Sequence, residues 1–193
     1  MTSQIELLRH GDTGQRSYRG QLDDALSEQG WAQLRAAVEG RVWDSVVSST
    51  LQRCAAFARE LAQARQWPLR LDVRLAEYHF GHWQGLPIEQ IAQEQGDALA
   101  RFWADPVAFP PPGAETFEAF RDRLSAALDD IVARAQERRV LVVTHGGVIR
   151  LLRCLVEQRS YGDMAGIDVP HASLHRLPWP RVDLVRSEQV VTR

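Results

Sequence analysis

The sequence is short of the features that mark several large protein classes. It holds two cysteines, Cys54 and Cys154, and they form no C-x-x-C pair. That spacing argues against a zinc site. Both lie in apolar stretches that read as helices, where buried, reduced thiols are expected. No segment approaches the ~20 consecutive apolar residues of a membrane span. The N-terminus has neither a basic patch nor an apolar run of signal-peptide length, so a cytoplasmic location is expected. The formal net charge of -2 gives no reason to expect nucleic acid or an anionic membrane as partner. Neither G-x-G-x-x-G after the first strand nor G-x-x-x-x-G-K-[ST] occurs, so a nucleotide-binding loop is not supported. There is no H-x-x-x-H pair and no carboxylate cluster of metal-site type, so no metal or other cofactor is expected. Internal repeats and low-complexity tracts are absent. What remains is a chain of 193 residues, 45% apolar and 25% charged, which suits one globular domain over 1–193.

Strand and helix patterns alternate along it. Residues 5–8 read as a strand ending in Arg9-His10-Gly11, and residues 12–26 as a polar loop. Ser27 is placed to cap a helix to about Glu39, with Trp31, Leu34 and Val38 on one face. Residues 42–47 predict a second strand, and Ser48, Ser49 or Thr50 a cap for the helix that carries Arg53. A third strand over 69–75 leads to Glu77. Two short helices are expected between Pro87 and Trp103, and a long amphipathic helix over 116–136. Residues 140–143 have the unbroken apolar character of a central parallel strand. A helix over 147–156 follows, then strands over 173–177 and 182–185 as a terminal antiparallel pair. The pattern predicts an α/β fold: three layers, α/β/α, around a mostly parallel central sheet. Ligands in such sheets bind beyond the carboxyl ends of the strands. Arg9-His10, Arg53, Glu77 and Thr144-His145-Gly146 all follow strands and can meet there.

A lone histidine after a strand serves structure more often than chemistry. Two features set His10 apart: Arg9 precedes it, and His145 follows a second strand in the same way. If Arg9 and Arg53 both point into the crevice, their charge disfavours imidazolium and leaves the neutral ring a nucleophile needs. Arginine also meets phosphate oxygens through a planar fork that lysine lacks.

Five segments, in order, resemble the histidine phosphatase superfamily, the phosphoglycerate mutase-like family. Leu8-Arg9-His10-Gly11-Asp12-Thr13 resembles its L-x-R-H-G-E-T signature, with Asp12 where Glu is commoner. Ser48-Ser49-Thr50-Leu51-Gln52-Arg53-Cys54-Ala55 is similar to the segment that supplies a second arginine. Leu75-Ala76-Glu77-Tyr78-His79-Phe80-Gly81-His82-Trp83-Gln84-Gly85 resembles L-x-E-x-x-F-G-x-W-x-G, which holds the proton donor. Pro112-Gly113-Ala114-Glu115-Thr116 resembles a P-G-G-E-S loop with alanine for one glycine. Val142-Val143-Thr144-His145-Gly146-Gly147 resembles the second-histidine motif. The resemblance implies a metal-independent phosphomonoesterase with a phosphohistidine intermediate on His10. Arg9, Arg53 and His145 would form the phosphate pocket, and Glu77 would give and then take a proton.

The compact chain, ending shortly after Val185, disfavours a mutase, and the intact F-G-x-W-x-G stretch disfavours a short phosphohistidine phosphatase. The segment 19–27, close behind Arg9-His10-Gly11, most resembles the α-ribazole phosphatases of cobalamin synthesis, so a small phosphate ester, α-ribazole 5′-phosphate, is the expected partner. Thr13, Arg16, Tyr18, Arg19 and Gly146 are candidate substrate contacts. A broad sugar- or phosphoglycerate-type phosphatase, a phosphoglycerate mutase and a non-catalytic phospho-ligand module stay open as alternatives. His79, His82, His171 and His175 are expected to be structural or solvent-facing, with His82 the best placed for a minor role; Trp83 is expected to pack.

Overall fold

The strand Arg139–Thr144 is apolar on both faces because both faces are covered. Val140 and Val142 enter one core, Leu141 and Val143 another. The same alternation splits Ile5 and Leu7 from Leu8, and Val47 from Val46, as the two-residue period of a strand requires. The computed structural model describes residues 4–135 and 138–179. Among these, strands β1 (Gln4–Arg9), β2 (Ser45–Ser48), β3 (Leu69–Leu71), β4 (Arg139–Thr144) and β5 (Leu174–Leu177) form one sheet in the order β3-β2-β4-β1-β5. All neighbours pair in parallel except β5, which runs antiparallel to β1.

Helices α1 (Glu28–Val38) and α2 (Gln52–Arg65) cover one face, through Leu34, Val38, Phe57 and Leu61. Helices α3 (Ile88–Ala104), α4 (Phe117–Ala135) and α5 (Gly146–Glu157) cover the other, through Ile91, Phe120, Leu124, Leu151 and Leu152. Each such side chain, fully buried, contributes ~1.5–3 kcal/mol. The expected three-layer α/β/α architecture is therefore the observed one. Cys54 and Cys154 are free and buried, as expected. No helix among the described residues is long and apolar enough to cross a membrane.

Several boundaries differ from expectation. The second strand starts at Ser45 instead of Val42, which is 52% exposed. None of Ser48, Ser49 and Thr50 caps α2: Leu51 holds the cap position, and Asp23, from the loop after β1, accepts the Gln52 N–H at 2.6 Å. The third strand stops at Leu71 because the Asp72 side chain accepts the Arg74 N–H and starts a 3-10 turn over Val73–Leu75. The two helices expected between Pro87 and Trp103 form one element, α3, broken by non-helical backbone at Gln95. β5 pairs with β1; the strand expected over 182–185 lies outside the described residues.

Candidate active site

Three parallel strands deliver their carboxyl ends to the same edge of the sheet. In the β1–β4 register Arg9 stands beside Thr144, and the next residue, His10, donates its backbone N–H to the Thr144 carbonyl at 2.9 Å. His10 and His145 thus emerge side by side, with ring centroids 5.3 Å apart. From β2, Ser49 meets His145 through an Oγ–Nε2 hydrogen bond of 2.8 Å. The first turn of α2 brings in Arg53, which is 1% exposed. Its two terminal nitrogens donate to the carbonyls of Leu22 and Gly20 at 2.7 and 2.6 Å, which also pins the loop over residues 12–26.

Glu77 enters from the segment after the 3-10 turn. Its carboxylate accepts from the Gly147 N–H, at the start of α5, and from its own neighbour Tyr78, each at 2.9 Å. Arg123 of α4 holds that segment, donating to the carbonyls of Arg74, Ala76 and Glu77 while paired with Glu115. Close backbone approach demands glycine at two places. A β-carbon on Gly11 would lie 2.2 Å from the Gly30 carbonyl oxygen, so the loop after His10 packs directly on the first turn of α1. One on Gly147 would lie 2.5 Å from Glu77 Oε1.

Arg9, His10, Arg53 and Glu77 line one cavity of about 360 Å³, walled also by Tyr18, Phe80, Phe102, Trp103 and Met164. Burial first, then the Arg53 and Arg9 guanidiniums and His171, push the His10 pKa well below its ordinary 6.5. Nδ1 of that ring lies 2.7 Å from the Gly11 carbonyl, which can only accept, so Nδ1 holds the proton of the neutral ring and Nε2 keeps its lone pair. Burial, then Arg53 and His10, push His145 well down in the same way. The Cys54 thiol beside it, raised to about 12 by burial, stays protonated. Two buried donors, the Nε–H groups of Arg9 and Arg53, have no hydrogen-bond partner among the described residues.

The profile of the histidine phosphatase superfamily, branch 1, matches residues 5–185. The chain belongs to that superfamily. The bifunctional protein Rv2228c of Mycobacterium tuberculosis is 34% identical over 180 residues, which cover 89% of this chain and 49% of that protein. The chain therefore spans about half the length of that curated relative. The glucosyl-3-phosphoglycerate phosphatase of M. tuberculosis is 37% identical over 164 residues, 77% of this chain and 72% of the relative. The crystal structure of the α-ribazole phosphatase from Shigella flexneri superposes with a TM-score of 0.74 at 25% identity, covering 90% of this chain and 89% of that one.

In this member of the histidine phosphatase superfamily every cationic side chain is arginine. All five candidate substrate contacts, Thr13, Arg16, Tyr18, Arg19 and Gly146, line the cavity. Arg19, though, spends its guanidinium on Asp24 and Ser17, and the Tyr18 hydroxyl accepts from Trp103 Nε1. His145, expected in the phosphate pocket, is wholly buried against the His10 ring and does not line the cavity. His82 is exposed and turned toward Gly113, away from the cavity lining. Trp83 packs, as expected, at 1% exposure.

His171, expected to be structural or solvent-facing, is half-buried and lines the cavity with its ring 5.6 Å from that of His10. No motif surrounds it, so the sequence offered no signal. Arg150 was also missed. It lines the cavity one helical turn beyond Gly146, and that four-residue spacing after His145-Gly146 was a readable signal. Among the described residues no group of three or more histidine, cysteine or acidic side chains is gathered to hold a metal. The arrangement offers an unprotonated imidazole nitrogen, two guanidinium groups and a carboxyl on residues that line one hollow. That is a set able to bind a phosphoryl group and exchange protons with its ester oxygen.

Proposed function

We propose that this chain hydrolyses a small phosphate monoester through a phosphohistidine on His10. The observation that carries the reading is the unprotonated Nε2 of His10 in a cavity also lined by Arg9 and Arg53, whose buried Nε–H groups have no partner among the described residues. Buried donors are nearly always matched, so two cavity-lining guanidiniums that each keep an unmatched donor among the described residues suit an anion bound there. In the first step the Nε2 lone pair forms a bond to phosphorus, the bond to the ester oxygen breaks, and Glu77 gives that oxygen its proton. In the second, water attacks phosphorus, Glu77 takes the water's proton, and the phosphorus–nitrogen bond breaks to release phosphate. The Gly11 carbonyl, accepting from Nδ1, stabilises the positive charge on the ring between the two steps. Arg9 and Arg53 hold the phosphoryl oxygens, the kind of electrostatic stabilisation that dominates phosphoryl transfer. His145 supports the His10 ring from inside the protein.

For the leaving group, the aromatic wall of Tyr18, Phe80, Phe102 and Trp103 favours a flat apolar ring. α-Ribazole 5′-phosphate, whose base is a benzimidazole, has such a ring, and cobalamin synthesis is the corresponding setting. The second reading is a phosphoglycerate- or sugar-type ester, favoured by the 37% identity to a glucosyl-3-phosphoglycerate phosphatase. Arg16 and Arg150 on the cavity wall suit its carboxylate. Rates of hydrolysis for both esters, with 3-phosphoglycerate as control, separate the two. Preference for α-ribazole 5′-phosphate supports the first; preference for the glycerate ester supports the second. Substrate phosphate should label the protein in a burst, stable to base and labile to acid, and His10→Ala should abolish label and turnover. Phosphate binding without label or hydrolysis of any ester would leave a non-catalytic binding module.

A further inference from the structure

We propose that His171 is a phosphoryl-binding residue of this site, donating a ring N–H to an oxygen of the group held at His10. The proposal rests on the reading of His10 as phosphoryl acceptor. The turn that carries His171 is fastened to the nucleophile's own backbone: Arg9 N–H donates to the Ser173 carbonyl at 3.1 Å, and Ala172 N–H to the His10 carbonyl at 3.3 Å. The backbones that carry the two rings are thereby held together. Ala172 adopts a φ of +58°, a left-handed conformation that alanine resists and that tertiary contacts must hold.

The His171 ring is half-buried, lines the cavity and has no hydrogen-bond partner among the described residues. His175, two positions after Ser173, shows the contrast, since its Nε2 is matched by the Ser173 hydroxyl at 2.7 Å. The charged and titratable groups that act on His171 are Arg9, His10 and Asp12. Burial and Arg9 favour the neutral ring, and Asp12 opposes them. A phosphate dianion between His10 and His171 shifts that balance toward the charged ring, which donates from both nitrogens.

The test compares the 193-residue chain with its His171→Ala and His171→Gln variants by calorimetry, with inorganic phosphate as the probe. Glutamine keeps a donor but cannot take up a proton. The dissociation constant should rise about tenfold in the alanine variant, the loss of one charge-assisted hydrogen bond, and recover largely in the glutamine variant. Titrations in buffers of different ionisation heat should show less proton uptake for His171→Gln than for the wild type, a difference from which phosphate's own titration cancels. In the wild type, the His171 ring 15N resonances should shift on adding phosphate. Equal weakening by alanine and glutamine would mark a structural role and overturn the proposal. So would affinities within twofold of one another, or unmoved His171 resonances. Should the alanine variant fail to fold, the glutamine titrations and the wild-type spectra decide. A wild type that binds phosphate but neither hydrolyses esters nor takes the label sinks the phosphatase reading, while the phosphate measurements still judge His171.

Discussion

Replacing Gly147 by alanine displaces the carboxyl of Glu77 while sparing the fold, and the size of the effect can be worked from the contacts. The added β-carbon would stand 2.5 Å from Glu77 Oε1, 3.1 Å from Cδ and 3.3 Å from Oε2. Ordinary contact requires a little over 3.4 Å, so the carboxylate must retreat by about 1 Å. It can do so, being the free end of a flexible side chain. The retreat strains its 2.9 Å bond from the Gly147 N–H, a loss of ~1 kcal/mol. Alanine returns up to ~1 kcal/mol over glycine in a helix. Global stability should therefore change by no more than about 1 kcal/mol. Catalysis should not be spared: a displacement of this size costs ~10²-fold when it misplaces a reacting group. The loss should fall on alkyl phosphates, whose alkoxide needs a proton, and spare p-nitrophenyl phosphate, which leaves as a stabilised phenolate. The assay is kcat/KM for both ester types beside a thermal melt. Equal loss on the two esters, or no loss on either, would refute Glu77 as the proton donor.

Other perturbations probe other parts. Gly11→Ala drives a β-carbon to 2.2 Å from a backbone carbonyl that cannot yield; denaturant unfolding should show a loss of ~2–4 kcal/mol or more. Arg53→Lys cannot reach both the Leu22 and Gly20 carbonyls; it should lower stability by ~1–3 kcal/mol and raise KM by weakening the anion site. His10 and His145 both titrate well below 6.5 in the fold, through burial and Arg53. The unfolded chain therefore binds protons that the fold refuses, so this part of the stability is full above about pH 6.5 and is lost as pH falls through the folded values. The melting temperature should decline on that side, and the acid limb of kcat/KM should lie well below pH 6.5; a limb at or above 6.5 contradicts a depressed His10. EDTA should leave turnover unchanged, because arginine supplies the positive charge at the anion site.

The fold's central elements were legible because their cause is local. The unbroken apolar run before Thr144 implies a strand covered on both faces, and the spacing of Phe117, Phe120, Leu124 and Leu128 implies one buried helix face. Errors came where a distant group intervened. Leu51 holds the cap position of α2 and the Gln52 N–H is taken by Asp23, brought by a loop held under Arg53, so the adjacent serines misled. The short β3 was a readable case, since Asp72 two residues before Arg74 is a local turn-former.

The sequence by itself determined which chemistry is present: an imidazole after a strand, two arginines, a carboxyl and a second imidazole, in an order that marks the superfamily. Side-chain type and local period suffice for that. Only the tertiary structure decided which of these groups share a cavity. It buried His145 against the ring of His10, set Arg150 and His171 on the cavity wall, and left two guanidinium nitrogens unmatched among the described residues. Burial and the distance between charges set those outcomes, and both depend on chain segments that meet only when the sheet closes.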